Sequence, residues 1–162
     1  MSLNKYLKNN KGFTLVEVLA ALLVLSIGLI GAYSLISYNF VNATRIKNNV
    51  IASGLVQEGM EVVRNIRDTA WLEGIPMSAV LTDGTYKVQW DSISLDSGSP
   101  TQVLKNDEGV YQYISGADTI FSRIITVETE SNIEKKITVN VDWEDRSGVR
   151  NVNAELHLFN WL

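Results

Sequence analysis

The residues that could do chemistry in this chain are few, and the most informative one lies at the start of a long apolar segment. Glu17 is the only charged residue in the 24 residues from Phe13 to Ile36. A carboxylate near the end of a membrane-spanning helix costs a few kcal/mol unless it is neutralised or paired. The position of Glu17 therefore predicts a charged partner for it.

Residues typical of catalysis or metal binding are sparse. The chain has one histidine, His157, on the polar face of a predicted strand, and it has no cysteine, which excludes disulfides, thiolate zinc sites and cysteine nucleophiles. No nucleophile elbow, Walker A loop or dinucleotide-binding glycine pattern is present. Asp142, Glu144 and Asp145 lack the alternating order and distal glutamate of a calcium loop. We therefore expect the protein to have no enzymatic activity and to bind no metal and no cofactor.

The apolar segment has the length of a membrane span. The 19 residues from Val18 to Ile36 carry no charge, close to the ~20 that a helix needs to cross the hydrocarbon core. Lys5, Lys8 and Lys11 precede it without an acidic residue, so the N-terminus should stay in the cytoplasm. An ordinary signal peptide fits poorly, because its apolar region is shorter and ends at a small-residue cleavage site.

The junction between the basic N-terminal residues and the apolar segment reads Lys11-Gly12-Phe13-Thr14-Leu15-Val16-Glu17. It resembles the class III signal of type IV prepilins and pseudopilins. The resemblance implies that a prepilin peptidase cuts between Gly12 and Phe13 and methylates the new terminus at Phe13. It also makes Glu17 the acidic fifth residue of the mature chain. Glycine lets an extended backbone approach an enzyme closely, so a larger residue at position 12 should block processing.

Such a cut would create a cationic amine at the tip of an apolar helix. A carboxylate on an adjacent subunit can approach this amine directly, so Glu17 of one subunit should pair with Phe13 of the next and set their register. Loss of the three leader lysines would change the formal net charge from −4 to −7. An acidic body is unlike a nucleic-acid-binding surface, and we expect no direct nucleic-acid partner.

Beyond the apolar segment, the hydrophobic residues recur at helical spacing, and no proline occurs between Phe13 and Arg67. We expect a leader at 1–12, a transmembrane or filament-core helix at 13–36, an amphipathic half of the same helix at 37–68 and a globular β domain at 69–162. Gly28 and Gly31 could permit local melting or close helix packing. Ser34 stands near the place where many type IV pilins carry a proline.

Five charged residues near the end of the predicted helix follow its periodicity, and Arg64 can pair with Glu61 or Asp68. Their plainest interpretation is a solvated face, and a subunit contact through Arg64 or Arg67 is the alternative. The cluster comprises Glu58, Glu61, Arg64, Arg67 and Asp68.

The rest of the chain alternates as β-strands do. Tyr86, Val88 and Trp90 alternate with polar residues, 92–109 resembles a loop, and 110–114 is a possible short strand. Three longer strands are predicted at 121–129, 133–143 and 149–159, joined as an antiparallel meander. The predicted fold is α+β and pilin-like, with a long N-terminal helix packed on a C-terminal antiparallel sheet.

The family resemblance orders the possible functions. A minor pilin of a type IV pilus comes first, since the chain lacks a C-terminal disulfide and its predicted stem helix from Leu55 to Asp68 is similar to minor-pilin stems. A type II secretion or competence pseudopilin comes second, a major pilin third, and an unprocessed membrane-anchored binding protein is the alternative outside the family. The implied partners are the prepilin peptidase, other pilin subunits, the inner-membrane assembly platform and, before assembly, membrane lipid. The location would be the cytoplasmic membrane and then an extracellular or periplasmic filament.

Overall fold

The computed structural model describes residues 12–99, 101–146 and 148–160. The chain divides into two compact units, residues 1–45 and residues 46–162. The described part is an α+β structure in which the later half of one long helix packs on an antiparallel sheet. The predicted fold class is confirmed.

The helices are α1 (Leu15–Leu72) and the short α2 (Met77–Val80). The strands are β1 (Gly84–Lys87), β2 (Asp96–Ser97), β3 (Val103–Asp107), β4 (Val110–Gln112), β5 (Ala117–Ser131), β6 (Glu134–Asp145) and β7 (Gly148–Phe159).

Helix α1 continues past Asp68 and ends at Leu72 because of the residues that follow it. Gly74 adopts a φ of 72°, in the left-handed region that glycine enters without steric cost. The backbone N–H of Gly74 donates to the Trp71 carbonyl at 3.1 Å, and that of Ile75 donates to the Ala70 carbonyl at 2.8 Å. These bonds satisfy carbonyls that the end of the helix would otherwise leave open.

The sheet is organised around β5, the longest strand. Strand β6 pairs along β5 from Phe121 to Ser131, and β7 pairs along the outer edge of β6. The other edge of β5 is shared by two hairpins, since β1 pairs with residues 125–127 and β3 with residues 117–122. The predicted meander therefore holds for β5, β6 and β7, whereas the earlier strands form two hairpins side by side.

The prediction of a loop at 92–109 was wrong for part of that segment. It contains β2 and β3, and Leu104 in β3 is fully buried. Val103 and Leu104 are adjacent apolar residues without an alternating pattern, so the strand depends on backbone pairing with β5, which sequence periodicity does not report. Trp90 also differs from expectation, because β1 ends at Lys87 and the indole is 58% exposed.

The core lies between the inner face of the sheet and one face of α1. Ile137, Val139, Val141 and Trp143 are all buried on β6, as their alternation predicted. Leu55, Val62, Val63 and Ile66 are buried on the helix side. Full burial of such a side chain contributes about 1.5–3 kcal/mol, so this interface is the main source of stability in the second unit.

Candidate processing and assembly segment

The segment that the sequence singles out begins in non-helical backbone. Gly12, Phe13 and Thr14 precede the helix, which starts at Leu15. The backbone N–H of Val18 donates to the Thr14 carbonyl at 3.2 Å, which is the first hydrogen bond of the helical ladder. The bond between Gly12 and Phe13 therefore lies just outside the helix.

Thr14 caps this helix. Its Oγ1 accepts a hydrogen bond from the backbone N–H of Glu17 at 3.2 Å. The first N–H groups of a helix have no carbonyl partner within it, and a threonine side chain at this position satisfies one of them. Thr14 and Glu17 also stand at the spacing of a capping box, in which serine or threonine is followed three residues later by glutamate or glutamine. Sequence analysis missed this role, although the spacing itself was a usable signal.

Glu17 lies in the first turn of α1, and its side chain is exposed. The N-terminal end of a helix carries a partial positive charge, which favours a carboxylate there. Its backbone N–H is bonded to Thr14 and its side chain is exposed, so the carboxylate is accessible from outside the helix.

The helix after Glu17 is apolar and uncovered. Leu15, Leu23, Ile30 and Leu35 are each more than half exposed, and by length and composition this helix could cross a membrane. Ser26 Oγ donates to the Leu22 carbonyl at 2.5 Å, so this hydroxyl is bonded within the helix itself. Such bonding lets a polar side chain sit in an apolar segment at little cost.

The predicted glycines remain in a continuous helix. A Cβ atom added at Gly28 or Gly31 would meet no heavy atom within 4 Å beyond the helix's own nearby backbone. Ser34 Oγ donates to the Ile30 carbonyl at 3.0 Å, and the helix is unbroken there. Melting or packing at these glycines stays a prediction.

Residues 7–33 match the family model of the prokaryotic N-terminal methylation motif. The chain carries the class III signal of type IV prepilins and pseudopilins. The motif supports a processed subunit of this kind, and with it processing by a prepilin peptidase and assembly with other pilins. Together with the apolar helix it fits anchoring in a membrane. Comparison with curated proteins and with solved structures finds no match.

The sequence-predicted residues of this segment fall into two groups. Gly12, Phe13 and Glu17 lie within six consecutive residues around the start of the helix. Lys5, Lys8 and Lys11, the basic residues of the leader, lie outside the described residues. The residues predicted for cleavage and for charge pairing thus lie together at the start of the helix. The role of the leader lysines stays a prediction.

The second unit contains a buried charge that sequence analysis missed. Arg123 on β5 is 1% exposed. One guanidinium nitrogen, Nη1, donates to the Leu55 carbonyl and to the Glu58 carboxylate, both at 2.9 Å, and Nη2 donates to the Val88 carbonyl at 2.6 Å. Arg123 therefore ties α1 to the sheet and to the segment after β1. Its position between the inward-facing Phe121 and Ile125 was the available signal.

This contact corrects the interpretation of the charged cluster as a solvated face. Glu58 pairs with the buried Arg123 and is about one-third exposed. The predicted pair of Arg64 and Glu61 is present at 2.7 Å and exposed, and Arg67 pairs with the neighbouring Asp68. The cluster is thus partly a surface feature and partly an anchor for the sheet.

His157 lies on the polar face of β7, as predicted, with its Nδ1 2.8 Å from a carboxylate oxygen of Glu134.

A cavity of about 500 Å³ lies at the end of α1, and its lining is mainly apolar, with Trp71, Ile75 and Met77 among its residues. Within residues 12–99, 101–146 and 148–160, no group of three histidine, aspartate or glutamate side chains could hold a metal.

Proposed function

We propose that this protein is a non-enzymatic subunit of a type IV pilus or a related filament, cleaved after Gly12 and N-methylated on Phe13. The observation that carries the proposal is the junction at the start of α1. A non-helical glycine and phenylalanine are followed by a capped helix that has one carboxylate in its first turn and an uncovered apolar face. The match at residues 7–33 supports the same function.

In this proposal the leader lysines hold the N-terminus on the cytoplasmic side while the apolar helix spans the membrane. Hydrolysis of the bond between Gly12 and Phe13 leaves a carboxylate on Gly12 and an amine on Phe13. The amine stays cationic after methylation and requires a counter-charge in an apolar environment. Glu17 of the adjacent subunit supplies it, and the apolar helices leave the lipid to pack on one another.

Among filament subunits we propose a minor pilin. The absence of cysteine is unlike the disulfide-closed pattern common in major pilins. The stem from Leu55 to Asp68 is similar to those of minor pilins. A low copy number relative to the main subunit is the expected property, and quantitative mass spectrometry of sheared filaments measures it. Presence at a stoichiometry near that of the main subunit would reject the minor role.

The first experiment is intact mass and N-terminal analysis of the protein isolated from its native membrane. A terminus at N-methylated Phe13 is expected. A terminus at Met1 or Ser2, in cells with an active prepilin peptidase, would instead indicate an unprocessed anchored domain. Gly12→Leu is the matched variant, and it should remain uncut while the protein still inserts in the membrane.

The role of Glu17 is tested separately from cleavage. Glu17→Ala should insert and be cleaved, but its recovery in filaments should fall about tenfold or more, because the amine of the neighbouring subunit loses its counter-charge. Immunoblotting of sheared filaments against the membrane fraction measures this recovery. Incorporation of Glu17→Ala at the level of the unsubstituted protein would refute the pairing.

A further inference from the structure

The start of α1 has a consequence for the cleavage reaction. The bond between Gly12 and Phe13 lies in non-helical backbone, and the helix begins two residues later at Leu15. Thr14 marks that boundary with two hydrogen bonds, one from Glu17 N–H to its Oγ1 and one from Val18 N–H to its carbonyl, both at 3.2 Å.

A peptide bond inside a helix is a poor substrate for hydrolysis. Its carbonyl is engaged with an N–H one turn later, and the surrounding turns shield its carbon from a nucleophile. Extended backbone leaves both groups open to a peptidase and lets them adopt the geometry of attack. The residue that sets where the helix begins therefore also sets whether this bond is accessible.

The local sequence makes the boundary sensitive to one side chain. Threonine is a good N-cap, glycine is about equal to it, and valine and alanine are much poorer. If residue 14 could not cap the helix, Gly12 would be the nearest upstream residue with an N-cap preference similar to that of threonine. A helix capped by Gly12 would take Phe13 as its first helical residue and draw the scissile bond into its first turn.

We propose that Thr14 is a positioning residue for the prepilin peptidase, whose N-cap holds the bond between Gly12 and Phe13 outside the helix. This inference rests on the proposed function. Water is the co-reactant: its hydroxyl joins the Gly12 carbonyl carbon, the bond to the Phe13 nitrogen breaks, and that nitrogen takes the proton. Thr14 does not touch the reacting atoms and acts through the backbone conformation alone.

The test uses the full-length uncut chain in detergent micelles with a purified prepilin peptidase. Thr14→Val has almost the same shape as threonine but removes the capping oxygen. Its kcat/KM for cleavage should fall by up to about fivefold, because losing the cap shifts the equilibrium between the two helix starts by about that factor. Thr14→Ser and Thr14→Asn each keep a capping oxygen on a side chain of different shape. Both variants should therefore be cleaved at nearly the rate of the unsubstituted chain.

The control is Thr44→Val, since Thr44 Oγ1 donates to the Phe40 carbonyl in the middle of the helix. This variant makes the same replacement of a hydroxyl by a methyl group but leaves the start of the helix unchanged. The rate of cleavage should therefore be unaffected. Backbone Cα chemical shifts of Phe13 provide a second readout. They should move toward helical values in Thr14→Val and not in Thr14→Ser.

The outcomes separate the two proposals. If the unsubstituted chain is not cut, the proposed function fails. If it is cut and Thr14→Val is cut equally fast, only the positioning role fails. Slow cleavage of both Thr14→Val and Thr14→Asn, with unchanged Phe13 shifts, would mean that the enzyme reads the threonine side chain directly, and this would also overturn the positioning role.

Discussion

At the residue scale, the contact between α1 and the sheet depends on one glycine. A Cβ atom added at Gly59 would lie 3.0 Å from Val139 Cγ1 and 3.2 Å from Arg123 Cδ. The absence of a side chain thus lets the helix approach β5 and β6 closely enough for Arg123 to reach it. Gly54, five residues earlier on the same helix, is exposed and has open space around it.

These two glycines form a matched pair for a stability test. Gly59→Leu should lower the free energy of unfolding by about 1–3 kcal/mol, because the added atoms overpack the interface. Gly54→Leu should leave it unchanged or raise it by up to about 1 kcal/mol, since leucine favours the helix and meets no neighbour. Denaturant unfolding of the full chain in detergent, followed by tryptophan fluorescence, measures both. Equal effects of the two substitutions would contradict the close approach at Gly59.

At the element scale, the pair between Arg123 and Glu58 joins the helix to the central strand. A buried charge left without its partner is costly, whereas replacing both members with apolar residues of similar size is often neutral. The Nε atom of Arg123 is buried without a hydrogen-bond partner among the described residues, so the interaction is not fully satisfied. We therefore expect the pair to fix how the helix and the central strand dock rather than to add net stability.

A double-mutant cycle tests this view. Glu58→Leu should lower the free energy of unfolding by about 3 kcal/mol, because it leaves the guanidinium of Arg123 buried without a counter-charge. Arg123→Met should cost less, since Glu58 is partly exposed and can be solvated. The double variant should be more stable than Glu58→Leu alone. Additive effects in the same unfolding assay would show that the two side chains do not interact.

At the scale of the whole molecule, the titratable groups predict sensitivity to alkaline pH. Burial raises the pKa of Tyr113 above its ordinary 10.0, and the hydrogen bond to Glu128, with the attraction of that carboxylate, raises the pKa of Lys136 above 10.5. In both cases the folded chain holds a proton that the unfolded chain releases first. The stabilisation is complete below the unfolded pKa and is lost as pH rises through the folded value.

The free energy of unfolding should therefore fall as pH increases above about 10. Tyr113→Phe should make this fall less steep, because phenylalanine has no proton to release. The variant also loses the hydrogen bond from Tyr113 Oη to the Arg123 carbonyl, so its free energy of unfolding at pH 7 should be lower by about 1 kcal/mol. Unfolding titrations of both chains between pH 7 and about pH 11 provide the comparison. Parallel curves for the two chains would exclude a contribution from Tyr113.

Much of this architecture is determined by local sequence. An uncharged run of 19 residues and the absence of proline specify the apolar part of the helix, because both features act through the helix's own geometry and its solvent. Strict alternation over β6 likewise places Ile137, Val139 and Val141 on one face. The processing motif is readable for the same reason, since its residues are consecutive.

Only the tertiary structure determined which distant residues meet. Strand β3 exists because its backbone pairs with β5, and Arg123 is tolerated in the core because Leu55, Glu58 and Val88 present oxygen atoms to it. Glu58 and Arg123 are 65 positions apart, so neither periodicity nor spacing could join them. Local propensity specifies where an element forms, but a buried charge and its partners are matched only when the elements pack.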